Sequence, residues 1–171
     1  MRSKFSITGH PLHPMLIALP IGLFGWTLVA DIVYAASGRT HEWYSIAFWS
    51  GIAAIVTALI AALPGFGDYF TMAVNSDARG MATAHMGLNL IVVVLFFVAM
   101  LMMREDRAIN GGRQTIVLIL HAVGVGLLLL SGWLGGEMVF RHHLAMVPDD
   151  AELGQAEQTH HAFRPRSSAR R

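Results

Sequence analysis

Four long apolar stretches, at residues 14–36, 44–67, 80–103 and 114–136, constrain the fold of this chain more than any other feature. Each has about the 20 residues that a helix needs to cross the hydrocarbon core of a bilayer. Backbone polar groups in lipid must be satisfied within the segment, so such stretches are helices. Only Asp31, His85 and His121 place ionisable groups within them. We therefore predict an all-α polytopic membrane protein, a four-helix transmembrane bundle with both termini on one membrane side, called side A.

Composition supports one membrane domain. Hydrophobic residues make up 54% of the 171 and charged residues 13%, with a mean hydropathy of +0.53. Soluble domains carry about twice this charge. Four spans predict one transmembrane domain over residues 1–145, followed by a polar, disordered tail over residues 146–171. The net charge of +1 gives no basic field for nucleic acid. No internal repeat is evident in the sequence.

The chain has no cysteine, which excludes thiolate metal sites, cysteine-ligated iron–sulfur clusters and covalent c-type haem attachment. Any metal or haem must then be held by His, Met, Tyr or carboxylate. The helix order predicts that five histidines and several charged residues lie on side A, namely His10, His13, His85, His142, His143, Asp68, Glu137 and Arg141. His41 and His121 fall in the opposite half, toward side B.

Four separated motifs resemble a known family. They are GHPLHPML at residues 9–16, LPG at residues 63–65 with Asp68, His85 with Asn89, and SGWLGGE at residues 131–137. Together they resemble the bacterial domain-of-unknown-function family 2231. The resemblance implies a four-helix protein of the bacterial inner membrane. Some members carry a fused Rieske-type domain, which implies redox partners.

The side A histidines favour a haem. Imidazoles from facing helices can hold haem iron axially within a helix bundle. His13 and His85 begin their helices at the same depth, and His142 is a third candidate. Glycines near them remove side-chain bulk, as a macrocycle requires. Glu137, Arg141 and Asp68 would orient the imidazoles or pair with haem propionates.

The leading hypothesis is therefore a bacterial inner-membrane protein with one haem b near side A, passing electrons between a quinol and a redox protein. A bare transition metal ion, Zn, Fe or Cu, held by His13, His85, His142 and His10, is an alternative. Another is a structural or accessory subunit of a respiratory complex, or a homo-oligomer, whose histidines lie at the membrane interface. We find no nucleophile–base pair and no phosphate loop, so a hydrolytic enzyme is not favoured.

Three further expectations concern details. Asp31 and His121 lie in the same half of the bundle, so we expect them to pair. The Pro64-Gly65 and Gly135-Gly136 pairs predict the ends of the second and fourth helices. Lys and Arg are balanced across the membrane, and the arginines of the tail favour a cytoplasmic side A.

Overall fold

The computed structural model describes residues 5–8, 10–71, 76–104 and 111–142, which are mostly helical. In chain order the elements are β1 (Ser6–Ile7), β2 (His10–Pro11), α1 (Leu12–Leu16), α2 (Ala18–Ala36), α3 (His41–Thr71), α4 (Ser76–Arg104) and α5 (Gly111–His142). Within these ranges, four helical segments are long and apolar enough to cross a membrane: Leu12–Ala36, His41–Thr71, Asp77–Met103 and Gly111–Arg141. The predicted all-α, four-helix architecture is confirmed. The predicted tail lies outside the described residues.

A short β-hairpin, which we did not predict from the sequence, precedes the first span. Strands β1 and β2 pair antiparallel, and the Leu12 amide donates to the Phe5 carbonyl at 2.9 Å. The Phe5 ring packs against Gly67 of α3, where a Cβ atom would collide with it. The hairpin therefore covers the side A end of α3, through a contact between residues far apart in the sequence.

Helices α3 and α5 extend further toward side A than predicted. Helix α3 continues through Pro64 to Thr71, and α5 continues past its paired glycines to His142. A proline has no N–H, so Pro64 removes one helical hydrogen bond. Apolar surroundings tolerate that loss, because ending the helix would leave more backbone groups unpaired in lipid. The expected helix ends were therefore wrong.

The spans form two helical hairpins. The α2 segment packs mainly on α3, and α4 packs mainly on α5. Across the bundle centre, the Phe24 and Phe96 rings lie 4.4 Å apart. Gly124 makes room for this pair, since a Cβ there would lie 2.6 Å from the Phe96 ring. Small residues thus allow the two hairpins to approach closely, as is common between helices in membranes.

The two hairpins are related by an approximate twofold axis along the bundle. His13 and Phe24 of the first hairpin contact His85 and Phe96 of the second, respectively. His13 and Phe24 are separated by the same number of residues as His85 and Phe96. Self-pairing of equivalent residues is the mark of a twofold relation.

Two further contacts between the hairpins join equivalent pairs of positions. The Tyr44 hydroxyl of α3 donates to the Met103 carbonyl of α4. Gln114 of α5 donates to Asp31 of α2 at 2.7 Å. Tyr44 and Gln114 hold equivalent positions in their helices, as do Met103 and Asp31. The bundle is therefore an internal repeat of one hairpin, a relation that the two weakly similar halves of the sequence did not reveal.

Candidate functional site

Two imidazoles meet on the pseudo-twofold axis near side A. The ring centres of His13 and His85 lie 6.3 Å apart, and the ring planes are perpendicular. Both rings are partly buried. The structure thus brings together the two histidines that the sequence predicted as facing ligands, although their helices belong to different hairpins.

The His13 ring is held in place by α3. Its Nδ1–H donates to the Ala61 carbonyl of α3 at 2.8 Å. The ring lies flat against Gly65, where a Cβ atom would be 2.9 Å from Nδ1. Gly65 is one turn beyond Ala61, so the missing side chain lets the imidazole reach the carbonyl. The LPG motif therefore supplies part of the surface that holds the His13 ring. We call this surface, formed by Ala61 and Gly65, the seat of His13.

His85 repeats this arrangement in the second hairpin. Its Nδ1–H donates to the Ser131 carbonyl of α5 at 2.8 Å, with the Ser131 hydroxyl at 3.0 Å. A Cβ atom at Gly135, one turn beyond Ser131, would lie 3.3 Å from the ring. Gly65 and Gly135 are related by the pseudo-twofold axis. The two imidazole seats therefore have the same construction.

Asn89 adds a contact that only the second seat has. The two N–H groups of its Nδ2 are shared among three acceptors, which are His85 Nε2 at 3.1 Å, the Ser131 hydroxyl at 2.7 Å and the His85 carbonyl at 2.8 Å. In the first hairpin the equivalent residue is Ile17, which cannot make such bonds. The sequence had pointed to His85 with Asn89 as a motif without indicating this role.

The hydrogen bonds define the tautomer of both rings. A carbonyl oxygen only accepts, so Nδ1 carries the proton in His13 and in His85. Each neutral ring then has its lone pair on Nε2. This is the form in which histidine binds metals, usually with Nδ1–H held by a carbonyl or carboxylate. Both seats therefore present ligand-competent imidazoles.

The remaining predicted residues lie in β2 or near the C-terminal ends of α3 and α5. His10 is exposed in β2, and Asp68 is partly buried near the end of α3. Glu137 and Arg141 form an ion pair at 2.7 Å along α5, with the Arg141 side chain 75% exposed. His142 is the last residue of α5, and its side chain is not described. Within the described part of the chain, no three His or carboxylate groups converge as a metal site.

Toward side B, a second polar group lies in the bundle core. His121 Nδ1 and Asp31 Oδ2 form a hydrogen bond of 3.2 Å, and both residues have no exposed surface. The expected pair is thus present. Gln114, which donates to Asp31 Oδ1, was not anticipated, although a glutamine at the start of an apolar span was a usable signal. His41 is exposed near Ser45, outside this cluster.

The glycine seats give a first testable prediction. We expect Gly65→Ala to lower the free energy of unfolding by about 1–3 kcal/mol, because the added methyl displaces the His13 ring from the Ala61 carbonyl. Gly132→Ala is the matched control, since a Cβ at Gly132 has no atom within 4 Å. Thermal unfolding in detergent would measure both variants. Equal stability of the two would contradict the role given to Gly65.

Comparison with known proteins gives one match. A family model described as "Predicted membrane protein (DUF2231)" matches residues 9–148, which is most of the chain. No curated protein and no solved structure matches. The matched region contains both imidazole seats and all four spans. The resemblance drawn from the sequence motifs is confirmed, and it brings no assigned activity.

Proposed function

The chain belongs to the DUF2231 family of predicted membrane proteins, and we propose that it binds one haem b between His13 and His85 and carries electrons within the membrane. The observation that carries this proposal is the pair of imidazoles at 6.3 Å, each anchored through Nδ1. Two imidazoles on opposite sides of one metal ion, with bonds of about 2 Å, have ring centres about 6 Å apart. The measured spacing suits this arrangement.

The donor set favours haem over a bare ion. A haem brings four nitrogen ligands of its own and needs only two axial ligands from the protein. A structural zinc needs about four protein ligands, and catalytic zinc about three. The described residues bring two imidazoles to the axis. The pseudo-twofold relation adds support, because a planar group with equivalent axial positions suits two equivalent seats.

Asn89 would adjust when His85 binds a metal. Its bond to His85 Nε2 is, at 3.1 Å, the longest of its three, while the bonds to the Ser131 hydroxyl and the His85 carbonyl are shorter. Releasing the longest bond frees the lone pair and leaves Asn89 held by the other two. Asn89 would therefore not block a metal from binding at His85 Nε2.

Other chain groups have supporting roles in this proposal. Haem would supply a one-electron couple, and the buried carbonyl bonds of His13 and His85 would keep both rings oriented. The exposed guanidinium of Arg141, beside Glu137 at the side A end of α5, is placed to bind carboxylates such as propionates. A quinol and a redox protein at the bacterial inner membrane are the proposed partners.

Haem content tests the proposal directly. The full chain would be expressed with ample haem, purified in detergent and analysed for haem and for metals. We expect one haem and one iron per chain. A colourless protein without metal would reject the cofactor and favour the accessory-subunit alternative, whereas zinc or copper without haem would favour the bare-ion alternative.

A further inference from the structure

The buried cluster toward side B leaves one nitrogen lone pair without a partner. Gln114 donates to Asp31 Oδ1 at 2.7 Å, and His121 Nδ1 lies 3.2 Å from Asp31 Oδ2. When Asp31 is ionised, both oxygens accept N–H bonds and His121 carries a proton on Nδ1. Its Nε2 is buried and has no hydrogen-bond partner in the structure. The His121 ring stacks on Phe96 with centres 4.7 Å apart, so an aromatic face lies beside it instead of a donor.

This arrangement leaves a charge to be balanced. With ionised Asp31 and neutral His121, the pair carries one negative charge inside the span, and both carboxylate oxygens accept an N–H bond. Buried charges are costly and are usually paired or neutralised. Protonation of His121 Nε2 would convert the cluster into a neutral imidazolium–carboxylate pair. One proton is therefore the ligand that the cluster lacks.

The other hairpin shows that packing does not require these ionisable groups. By register, Gly51 is equivalent to His121 and Met103 is equivalent to Asp31. There, Met100 fills the space over Gly51, where a Cβ would lie 2.6 Å from its sulfur. The same layer is thus closed by apolar contacts in one half of the repeat. Apolar packing often equals or exceeds a buried ion pair in stability, so packing alone does not require Asp31 and His121 at these positions.

We infer that His121 and Asp31 form a proton-binding site in the side B half of the bundle. His121 Nε2 accepts one proton from the aqueous phase, an N–H bond forms, and the net charge of the pair changes from −1 to zero. No electron moves and no other bond breaks. The site does not involve His13 and His85, which lie near side A. The proton-binding proposal can therefore be tested separately from the haem proposal.

The titratable groups near the Asp31–His121 pair are compatible with the uptake of a single proton. Helix α2 contributes Asp31 and Tyr34, α3 contributes Tyr44, and α5 contributes Arg113 near Gln114. The α4 residues in this layer are Phe96, Met100 and Met103, which do not titrate. Tyr44 already donates to the Met103 carbonyl. The buried Tyr34 hydroxyl and Gln114 Oε1 have no hydrogen-bond partner in the structure.

Nitrogen-15 NMR of histidine-labelled protein in lipid nanodiscs tests this site. The His121 signals are assigned by their loss in His121→Gln, and exposed His41 gives the control signal. We expect His121 Nε2 to pass from unprotonated to protonated on acidification, while Nδ1 remains protonated throughout. An Nε2 that keeps one protonation state over the whole pH range in which the protein stays folded would overturn the inference.

The Asp31→Asn variant provides the second part of the test. The variant removes the counter-charge with little change of shape, so we expect no proton uptake by His121 Nε2 over the range in which the full chain takes it up. Asp31→Glu, which keeps a carboxylate, should restore uptake. Identical titration of His121 in the wild-type and Asp31→Asn proteins would overturn the assignment of Asp31. If Asp31→Asn does not fold, the wild-type titration and Asp31→Glu decide.

Discussion

If the proposed haem is bound, replacing either His13 or His85 with alanine should lower the haem content of the purified protein by at least about tenfold, because each change would remove one of its two proposed ligands. Haem per chain, measured by absorbance of the reduced protein, is the readout. His41→Ala and His121→Ala are the controls, since His41 is exposed and His121 lies in the other half of the bundle. Both should keep their haem.

Loss of haem through unfolding must be separated from loss of a ligand. Each alanine variant also loses a carbonyl hydrogen bond, to Ala61 or to Ser131. Free imidazole added to His13→Ala should occupy the vacated seat and restore the absorbance. Haem retained in both alanine variants, or lost only in His121→Ala, would place the cofactor elsewhere.

The Asp31–His121 pair carries the second large effect. Asp31→Ala should lower the free energy of unfolding by on the order of 3 kcal/mol, because it leaves the donors of His121 and Gln114 without an acceptor inside the bundle. His121→Ala should have a cost of similar size, because it leaves the buried Asp31 carboxylate without its bond to His121. The double variant should cost less than the two single changes together.

Thermal unfolding in one detergent measures all three variants. The equivalent layer of the other hairpin supplies a control, because Met103→Ala removes only apolar contacts there. Strict additivity of Asp31→Ala and His121→Ala would show that the two side chains do not interact. Such a result would also remove the basis of the proton-binding site.

Much of this architecture was predictable from the sequence. Hydropathy alone located the four spans, because helices in lipid need long runs without charge. The pairing of Asp31 with His121 followed from their shared depth and from the cost of leaving either alone. The meeting of His13 and His85 followed from helix order.

The parts that could not be predicted depend on long-range contacts. The continuation of α3 through Pro64 depends on its apolar surroundings, which override the local preference of proline. The β-hairpin depends on Phe5 packing against Gly67. The internal repeat is carried by contact positions such as Phe24 and Phe96, while most surface residues around them differ. Only the folded chain shows that these positions are equivalent.

The most direct test of the central claim is the electron paramagnetic resonance spectrum of the oxidised, purified protein. The structure holds the rings of His13 and His85 perpendicular to each other. Two imidazoles with perpendicular planes on one ferric haem give a low-spin signal of strong anisotropy, and we predict this signal. It should be absent from His13→Ala and from His85→Ala. A high-spin signal from the wild-type protein, or no haem signal, would contradict the proposed site between the two histidines.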